Sequence, residues 1–373
     1  MQFEAPFAFL SESDRLKSVD RASVLMDGSR LENSAEHSWH VALYAMVFGA
    51  PDRAIAMILL HDLVEIDVGD HPIHLDHDWD ALAAAEDAAA RRLFGLWPGG
   101  GALLDLWREF ESGLSPDAQA AKRMDHVQPL FQVLLAAQPL PDHLGIVRDN
   151  MGGGRAARLY HEWPEAMAAA EDLLAGRAVP GEFGARLAFL AQADRLKSVL
   201  RSGLIHSGRR ENSAEHSWHL GLYALVLGGL APGLDLGRVI RMLILHDLVE
   251  VDVGDVPFHA ANGQAHHSTA RVAQEQAAAT RLFGLLPPTQ AAEFRALWDE
   301  FETAATPEAV FANALDRVQP VWLNIMAGGG TWVEFGVGWD QLQSRVGPRI
   351  ARATPALWDW LSDRARGCFA AAR

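Results

Sequence analysis

Cysteine is nearly missing from this chain: Cys368 is the only one in 373 residues. A single thiol forms no internal disulfide and supports no metal site built from thiolates. Long apolar runs are missing as well. The most apolar stretch, Leu220 to Leu234, is too short and too broken by Gly and Pro to span a bilayer. The opening residues MQFEAPFAFL lack a basic segment leading into an apolar one, so no secretory signal is expected. Basic residues are outnumbered, 32 Lys and Arg against 48 Asp and Glu, for a formal net charge of −16. That acidic field argues against a nucleic-acid polymer as partner, because neutralising phosphates needs clustered Lys and Arg. A small anionic substrate stays open, since a bound metal ion reverses the local sign. Period-two alternation is missing too, so strands are not expected. With 49% hydrophobic and 21% charged residues the chain is instead a folded, soluble protein, expected in the cytoplasm and with no membrane partner.

What is present is a duplication. Asp14-Arg15-Leu16-Lys17-Ser18-Val19 recurs as Asp194 to Val199, Glu32-Asn33-Ser34-Ala35-Glu36-His37-Ser38-Trp39-His40 as Glu211 to His219, and Leu60-His61-Asp62-Leu63-Val64-Glu65 as Leu245 to Glu250. His216 follows His37 by 179 residues, Asp247 follows Asp62 by 185, and Asp316 follows Asp125 by 191, so two short insertions separate the copies. The Gly152-Gly153-Gly154 run meets Gly328-Gly329-Gly330 at an offset of only 176, which leaves 15 extra residues in the first copy. A period this long means two whole domains, not a solenoid. The Pro/Gly break at Val179-Pro180-Gly181 divides them into residues 1–179 and 180–373. Each copy reads as nearly all helix, and the fold class expected is all-α, two helical bundles forming a pseudo-dimer within one chain. Asn33 or Ser34 caps a helix, with Glu36 placed as in a capping box. Ala54 to Ile66 reads as one central apolar helix, and Ala81 to Leu96 and Leu103 to Gly113 as amphipathic ones.

The pairs His61-Asp62 and His246-Asp247 carry the chemistry, because each falls inside a strongly apolar helix. A buried carboxylate is costly unless paired or bound to a cation. Glu65 lies one helical turn on, on the same side. His37 and Asp125 are the other polar residues set among apolar neighbours, with His216 and Asp316 as their counterparts. Two imidazoles and two carboxylates per copy suit Mn, Fe, Co, Ni or Zn better than Ca or Mg. One divalent transition metal per domain is therefore expected, with open positions for water and substrate. His40 and His219 could support these ligands from behind or simply bond a neighbouring backbone. Trp39, Trp107, Trp218 and Trp298 read as core aromatics. His71, His74 and His77 look like a cluster but lie in a polar loop. His259, His266 and His267 do not align with them, so both groups are read as mostly solvated.

These residues resemble the HD-domain superfamily of metal-dependent phosphohydrolases, in particular the branch holding bacterial 5′-deoxynucleotidases and the HD domain-containing protein 2 group. The resemblance covers almost all of both halves. It rests on the Glu-Asn-Ser-Ala-Glu-His-Ser start, the His-Asp-Leu-Val-Glu-(Ile/Val)-Asp-Val-Gly-Asp centre and the late Asp. It implies metal ligands at His37, His61, Asp62 and Asp125, and again at His216, His246, Asp247 and Asp316. It gives Glu65 and Glu250 the task of orienting or deprotonating the attacking water, Asp70 and Asp255 that of protonating the leaving alkoxide, and Arg21 and Arg201 that of holding the substrate phosphate. The implied reaction is hydrolysis of a nucleoside 5′-monophosphate, or a similar small phosphorylated substrate, by a metal-dependent phosphomonoesterase. Where the deoxynucleotidases place a tryptophan after that arginine, this chain has Ala22 and Ser202, so deoxyribose selectivity is not carried over. The second copy is nearer the family, with Arg210 and Arg317 where the first has Leu31 and His126. Both sites are expected to bind metal and the second to be the better enzyme. A di-iron oxygenase using His71, His74 or His77, or His259, His266 or His267, is the alternative from another reaction class. A non-catalytic metal- or nucleotide-binding protein is the third. Small relatives pair as homodimers, so one chain is expected to act as a pseudo-dimer, alone or in a higher homo-oligomer.

Overall fold

A computed structural model describes residues 2–72, 74–257 and 268–371. The first half runs α1 (Glu4–Ser13), β1 (Asp20–Val24), β2 (Leu31–Asn33), α2 (Ser34–Val47), α3 (Asp52–Leu60), α4 (Glu65–Val68), α5 (Trp79–Phe94), α6 (Gly100–Ser112), α7 (Pro116–Leu134), α8 (Pro141–Gly153), α9 (Leu159–Glu162) and α10 (Pro164–Leu174). The second repeats this order with α11 (Gly181–Asp194), β3 (Leu200–Leu204), β4 (Arg210–Asn212), α12 (Ser213–Leu227), α13 (Leu236–Leu245), α14 (Glu250–Val253), α15 (Thr269–Phe283), α16 (Pro288–Thr303) and α17 (Pro307–Met326). It closes with α18 (Gly330–Glu334), α19 (Trp339–Arg345), α20 (Gly347–Ala353) and α21 (Pro355–Ala371). The chain is all-α, in two tandem bundles, and no helix among the described residues is long and apolar enough to cross a membrane.

Two expectations need correction. Strands do occur, as the antiparallel hairpins β1–β2 and β3–β4. Their strands are five and three residues long, too short for alternation to stand out. The stretch 54–66 is not one helix either: α3 ends at Leu60 and α4 begins at Glu65. The indole Nε1 of Trp107 donates to the His61 carbonyl at 3.1 Å, and the Glu65 amide bonds the Asp62 carbonyl at 2.9 Å instead. The ladder thus tightens to three-residue spacing just where His61 and Asp62 stand. Trp298 does the same to the His246 carbonyl.

The core sits on the pseudo-twofold between the halves. All 14 residues of α2 are buried, and α12, buried nearly as completely, lies against it. Asn33 caps α2 in a full capping box with Glu36, and its Nδ2 reaches over to Glu215 at 2.6 Å. Asn212 repeats the box with Glu215 and bonds Glu36 at 2.8 Å. Trp39 and Trp218 are core aromatics as read, and each donates across the interface, to the carbonyls of Ile244 and Leu59, both at 3.1 Å. The opening helices are exchanged: α1 lies on α12 and α11 on α2. His40 and His219 prove to be backbone-bonding histidines whose carbonyls, Leu190 and Leu10, belong to the opposite half.

After each opening helix a short 3₁₀ turn delivers a lysine into this interface. Lys17 Nζ, fully buried, bonds Asp14 at 2.5 Å, Glu211 at 2.7 Å and His219 Nδ1 at 3.0 Å. Lys197 bonds Asp194, Glu32 and His40 at the same distances. Burial alone would raise the Asp14 carboxyl, but the Lys17 ammonium and a hydrogen bond from His206 outweigh it and hold it well below the ordinary carboxylate range. A carboxyl depressed by folding stabilises fully above its unfolded pKa of about 4, and loses that contribution as pH falls towards the folded value. Asp14→Asn, which takes from Lys17 one of its two carboxylates, is therefore expected to cost about 3 kcal/mol near neutral pH, with the deficit shrinking in urea unfolding repeated near pH 3. A deficit that stays constant across that range would show that the Asp14–Lys17 pair is not the interaction lost.

Candidate metal centre

Three helices converge on each centre. The α2 helix presents His37 one turn in from its cap, the end of α3 presents His61 and Asp62, and α7 brings Asp125. In the second half α12, α13 and α17 bring His216, His246, Asp247 and Asp316. The rings are held from behind: His61 Nδ1 lies 2.7 Å from the Ile58 carbonyl and His246 Nδ1 lies 2.8 Å from that of Leu243. With Nδ1 as the donor, Nε2 is left to face the carboxylates. His61 Nε2 is 3.1 Å from Asp62 and 3.4 Å from Asp125, while His37 Nε2 is 3.2 Å from Asp125 and 4.0 Å from Asp62. The matching distances in the second half are 3.1 Å and 3.8 Å for His246, and 3.0 Å and 4.0 Å for His216.

The Nε2 atoms of His61 and His246 are buried yet have no hydrogen-bond partner. Buried polar nitrogen is rarely left unpaired, and two equivalent orphans in the same setting point to a missing ligand. The donors around each orphan are imidazole nitrogen and carboxylate oxygen, the set a divalent transition ion takes. Charge gives the same answer. Burial would lower the His61 pKa, but the Asp62 and Asp125 carboxylates outweigh it and hold the ring up at about 9. The site demands positive charge, and a metal ion supplies it without the proton.

Glu65 and Glu250 stand beside these clusters, each accepting a hydrogen bond from the serine that starts α2 or α12, Ser34 and Ser213. Burial first, and then the Asp62 carboxylate, push Glu65 well above the usual carboxyl range, and burial with Asp247 does the same to Glu250. The hairpins supply the arginines. Arg21 Nη1 is 2.9 Å from Asp62, 3.7 Å from Glu65 and 3.6 Å from Asp70. Arg201 holds Asp247, Glu250 and Asp255 at 2.5, 3.7 and 3.6 Å. Gly69 and Gly254, at φ 78° and 73°, turn the chain so that Asp70 and Asp255 reach back to these arginines. Every residue expected at the two sites is thus gathered into two matching clusters. Trp107 and Trp298 lie behind them as core side chains.

A model of the HD domain matches this sequence twice, over residues 13–167 and 193–358. The chain belongs to the HD-domain family. Among proteins similar to it are a 5′-deoxynucleotidase of Schizosaccharomyces pombe, 30% identical over 139 residues, and the human 5′-deoxynucleotidase HDDC2, 30% identical over 143. These matches cover 36% and 37% of this chain and 67% of each relative. A crystal structure from Magnetospirillum magnetotacticum, described as a predicted metal-dependent phosphohydrolase, is 41% identical, covers 50% of this chain and 92% of its own, and has a TM-score of 0.47.

Other features of the two HD domains escaped the sequence. A cavity of about 820 Å³ opens onto His61, Asp62 and Asp70, and its walls carry Lys122, Arg123, Arg155 and Arg158. A second, of about 350 Å³, runs from Arg21 and Asp125 to Ile146, Val147 and Asn150 of α8, in the stretch the second half lacks. Only folding brings these basic residues together, and no local spacing marks them. His71 and His74 line the smaller cavity, His74 exposed and His71 half-buried. His71 Nδ1 and His77 Nε2 are each 3.0 Å from a backbone carbonyl, of Gly69 and Pro72. His259, His266 and His267 lie outside the described residues.

Two independent centres predict a simple stoichiometry. Metal-stripped protein titrated with Mn²⁺ is expected to take up about two ions per chain. His61→Asn and His246→Asn should each remove one, and the double variant both. A single variant that loses both ions would contradict the independence of the centres.

Proposed function

We propose that each HD domain, divided at residues 179 and 180, is a metal-dependent phosphomonoesterase. Its substrates are small phosphate esters, nucleoside 5′-monophosphates foremost, and its products the alcohol and inorganic phosphate. The observation that carries this reading is the pair of orphaned, buried His Nε2 atoms set among carboxylates. In the first domain the centre also opens into a cavity lined by five basic side chains, Arg21, Lys122, Arg123, Arg155 and Arg158, interspersed with Glu86, Glu111 and Glu162, so that cationic groups are within reach of a phosphate beside the ion. The names of the similar 5′-deoxynucleotidases support the same reading.

The residues divide the work. His37, His61, Asp62 and Asp125, or His216, His246, Asp247 and Asp316, would hold a divalent ion, which would supply a water acidic enough to serve as nucleophile near neutral pH. Glu65, or Glu250, with its raised carboxyl, takes the proton from the attacking water as the new P–O bond forms. Asp70, or Asp255, gives a proton to the ester oxygen as the old P–O bond breaks. Arg21, or Arg201, has more N–H groups than its carboxylate neighbours use, and turns the spare ones to the phosphoryl oxygens, where charge grows in the transition state. The ion is Mn, Co, Ni, Fe or Zn, and the setting cytoplasmic.

The domains differ around the same core. Arg317 lies 3.7 Å from Asp316, and Arg210 reaches Glu334 at 2.5 Å. The first domain has His126 and Leu31 there, and adds α8. Phosphate release from a panel of ribo- and deoxyribonucleoside monophosphates, with stripped protein resupplied separately with each metal, tests the proposal. Release should require metal, Asp247→Ala should remove more of it than Asp62→Ala, and the double variant should leave none. No release with any metal would overturn the phosphohydrolase reading, and equal losses would overturn the ranking of the sites.

A further inference from the structure

Three groupings of described residues have the donor atoms to hold a metal ion. Two are the centres described above. The third, Asp14 with Glu211 and His219, already has its cation: the Lys17 ammonium, in contact with all three. This third cluster is half first domain and half second, and it leads on to a metal ligand. Glu211 takes Lys17 on one oxygen at 2.7 Å and turns the other to His216 Nδ1 at 3.5 Å. Gln319 braces the step, donating to Glu211 at 2.7 Å and lying 3.1 Å from that same Nδ1. The mirror path runs from Lys197 to Glu32 at 2.7 Å; the other Glu32 oxygen lies 3.4 Å from His37 Nδ1 and 3.9 Å from Arg21 Nε, and all three atoms are buried without a hydrogen-bond partner. In this half Gln128 turns away to His40 and Gln132, so Glu32 faces His37 without a brace.

We propose that Lys17 and Lys197 are positioning residues for the metal centre of the opposite domain, Lys17 for the centre at His216 and Lys197 for the centre at His37. A ligating imidazole needs its second nitrogen held, and a carboxylate there fixes the ring and strengthens it as a donor. Glu32 is the carboxylate beside that nitrogen of His37, and Glu211 stands with Gln319 beside that of His216; both are fully enclosed, where an uncompensated carboxylate does not persist. The compensating cation comes from the other domain in each case. Take away the lysine, and the glutamate loses the partner that holds it in place beside the histidine. The assignment concerns metal binding, and stands whether or not phosphate esters prove to be the substrates.

Binding of Co²⁺, followed by its visible d–d absorption, reads the effect without catalysis. The full chain carrying His61→Asn reports the second centre alone, and carrying His246→Asn the first. Lys17→Met is expected to weaken Co²⁺ at the second centre by about 10- to 100-fold and to leave the first within about threefold. Lys197→Met should do the reverse, with the larger loss because Glu32 lacks the brace. Glu211→Gln, which keeps the shape of the cluster, should reproduce the loss at the second centre and serves if Lys17→Met does not fold. Lys17→Arg, which keeps the charge, should recover most of the affinity. Weakening of both centres alike by either lysine variant would mean a general structural role and overturn the assignment, as would a loss confined to the lysine's own domain.

Discussion

A carboxylate out of water must have a cation beside it, and this structure is arranged around that requirement. Asp14, Glu32, Glu211, Asp194 and Asp316 are all nearly inaccessible. Each of the first four meets a lysine, and Asp316 meets two imidazoles with an arginine behind it. Arg21 and Arg201 answer for three carboxylates each around the centres. The arginines do not neutralise their sites completely, because the imidazoles still face carboxylates with unpaired nitrogen. What is left over is a cation-sized demand, placed between two histidines, two aspartates and an open cavity. Fold and chemistry have the same cause here: the helices are positioned so that every buried acid finds a partner, and the last partner is supplied from solution.

The backbone carries this out through interruptions. Each centre stands where regular structure stops: at the cap of α2, at the tightened end of α3, and at the short hairpin that carries Arg21. On α7, Pro129 lacks the amide that would close on the Asp125 carbonyl one turn back. An indole from α6 consumes the carbonyl that would have continued α3. Ending the helix at His61 is what allows Asp62, Glu65 and Asp70 to reach one arginine, which an unbroken helix would spread over roughly two turns.

Much of this was legible before folding. The His-Asp dipeptide inside an apolar run signals a buried charge, and its recurrence with matching His and Asp partners identifies both centres. The capping box was legible because its signal is local, three residues from end to end. The hairpins were not, since strands of three and five residues carry no period. The break at His61 was not, because its cause is an indole 46 residues away. Lys17 was visible only as a repeated residue between Leu16 and Val19. A lysine recurring in apolar surroundings is a signal of burial, but its partner Glu211 lies 194 residues on, and no spacing rule connects them. The basic wall of the first cavity was hidden for the same reason, since Lys122 and Arg158 meet only across folded elements.

Duplication is commonly thought to free one copy to drift while the other keeps the task. The exchanged helices α1 and α11 remove that freedom here. A substitution at Lys17 does its damage at Glu211, in the other repeat, and one at Lys197 does it at Glu32. Neither copy can therefore cover for a fault in its twin, because the fault is felt in the twin. Selection on either site falls on both segments of the gene, and the two repeats are bound to persist or decay together.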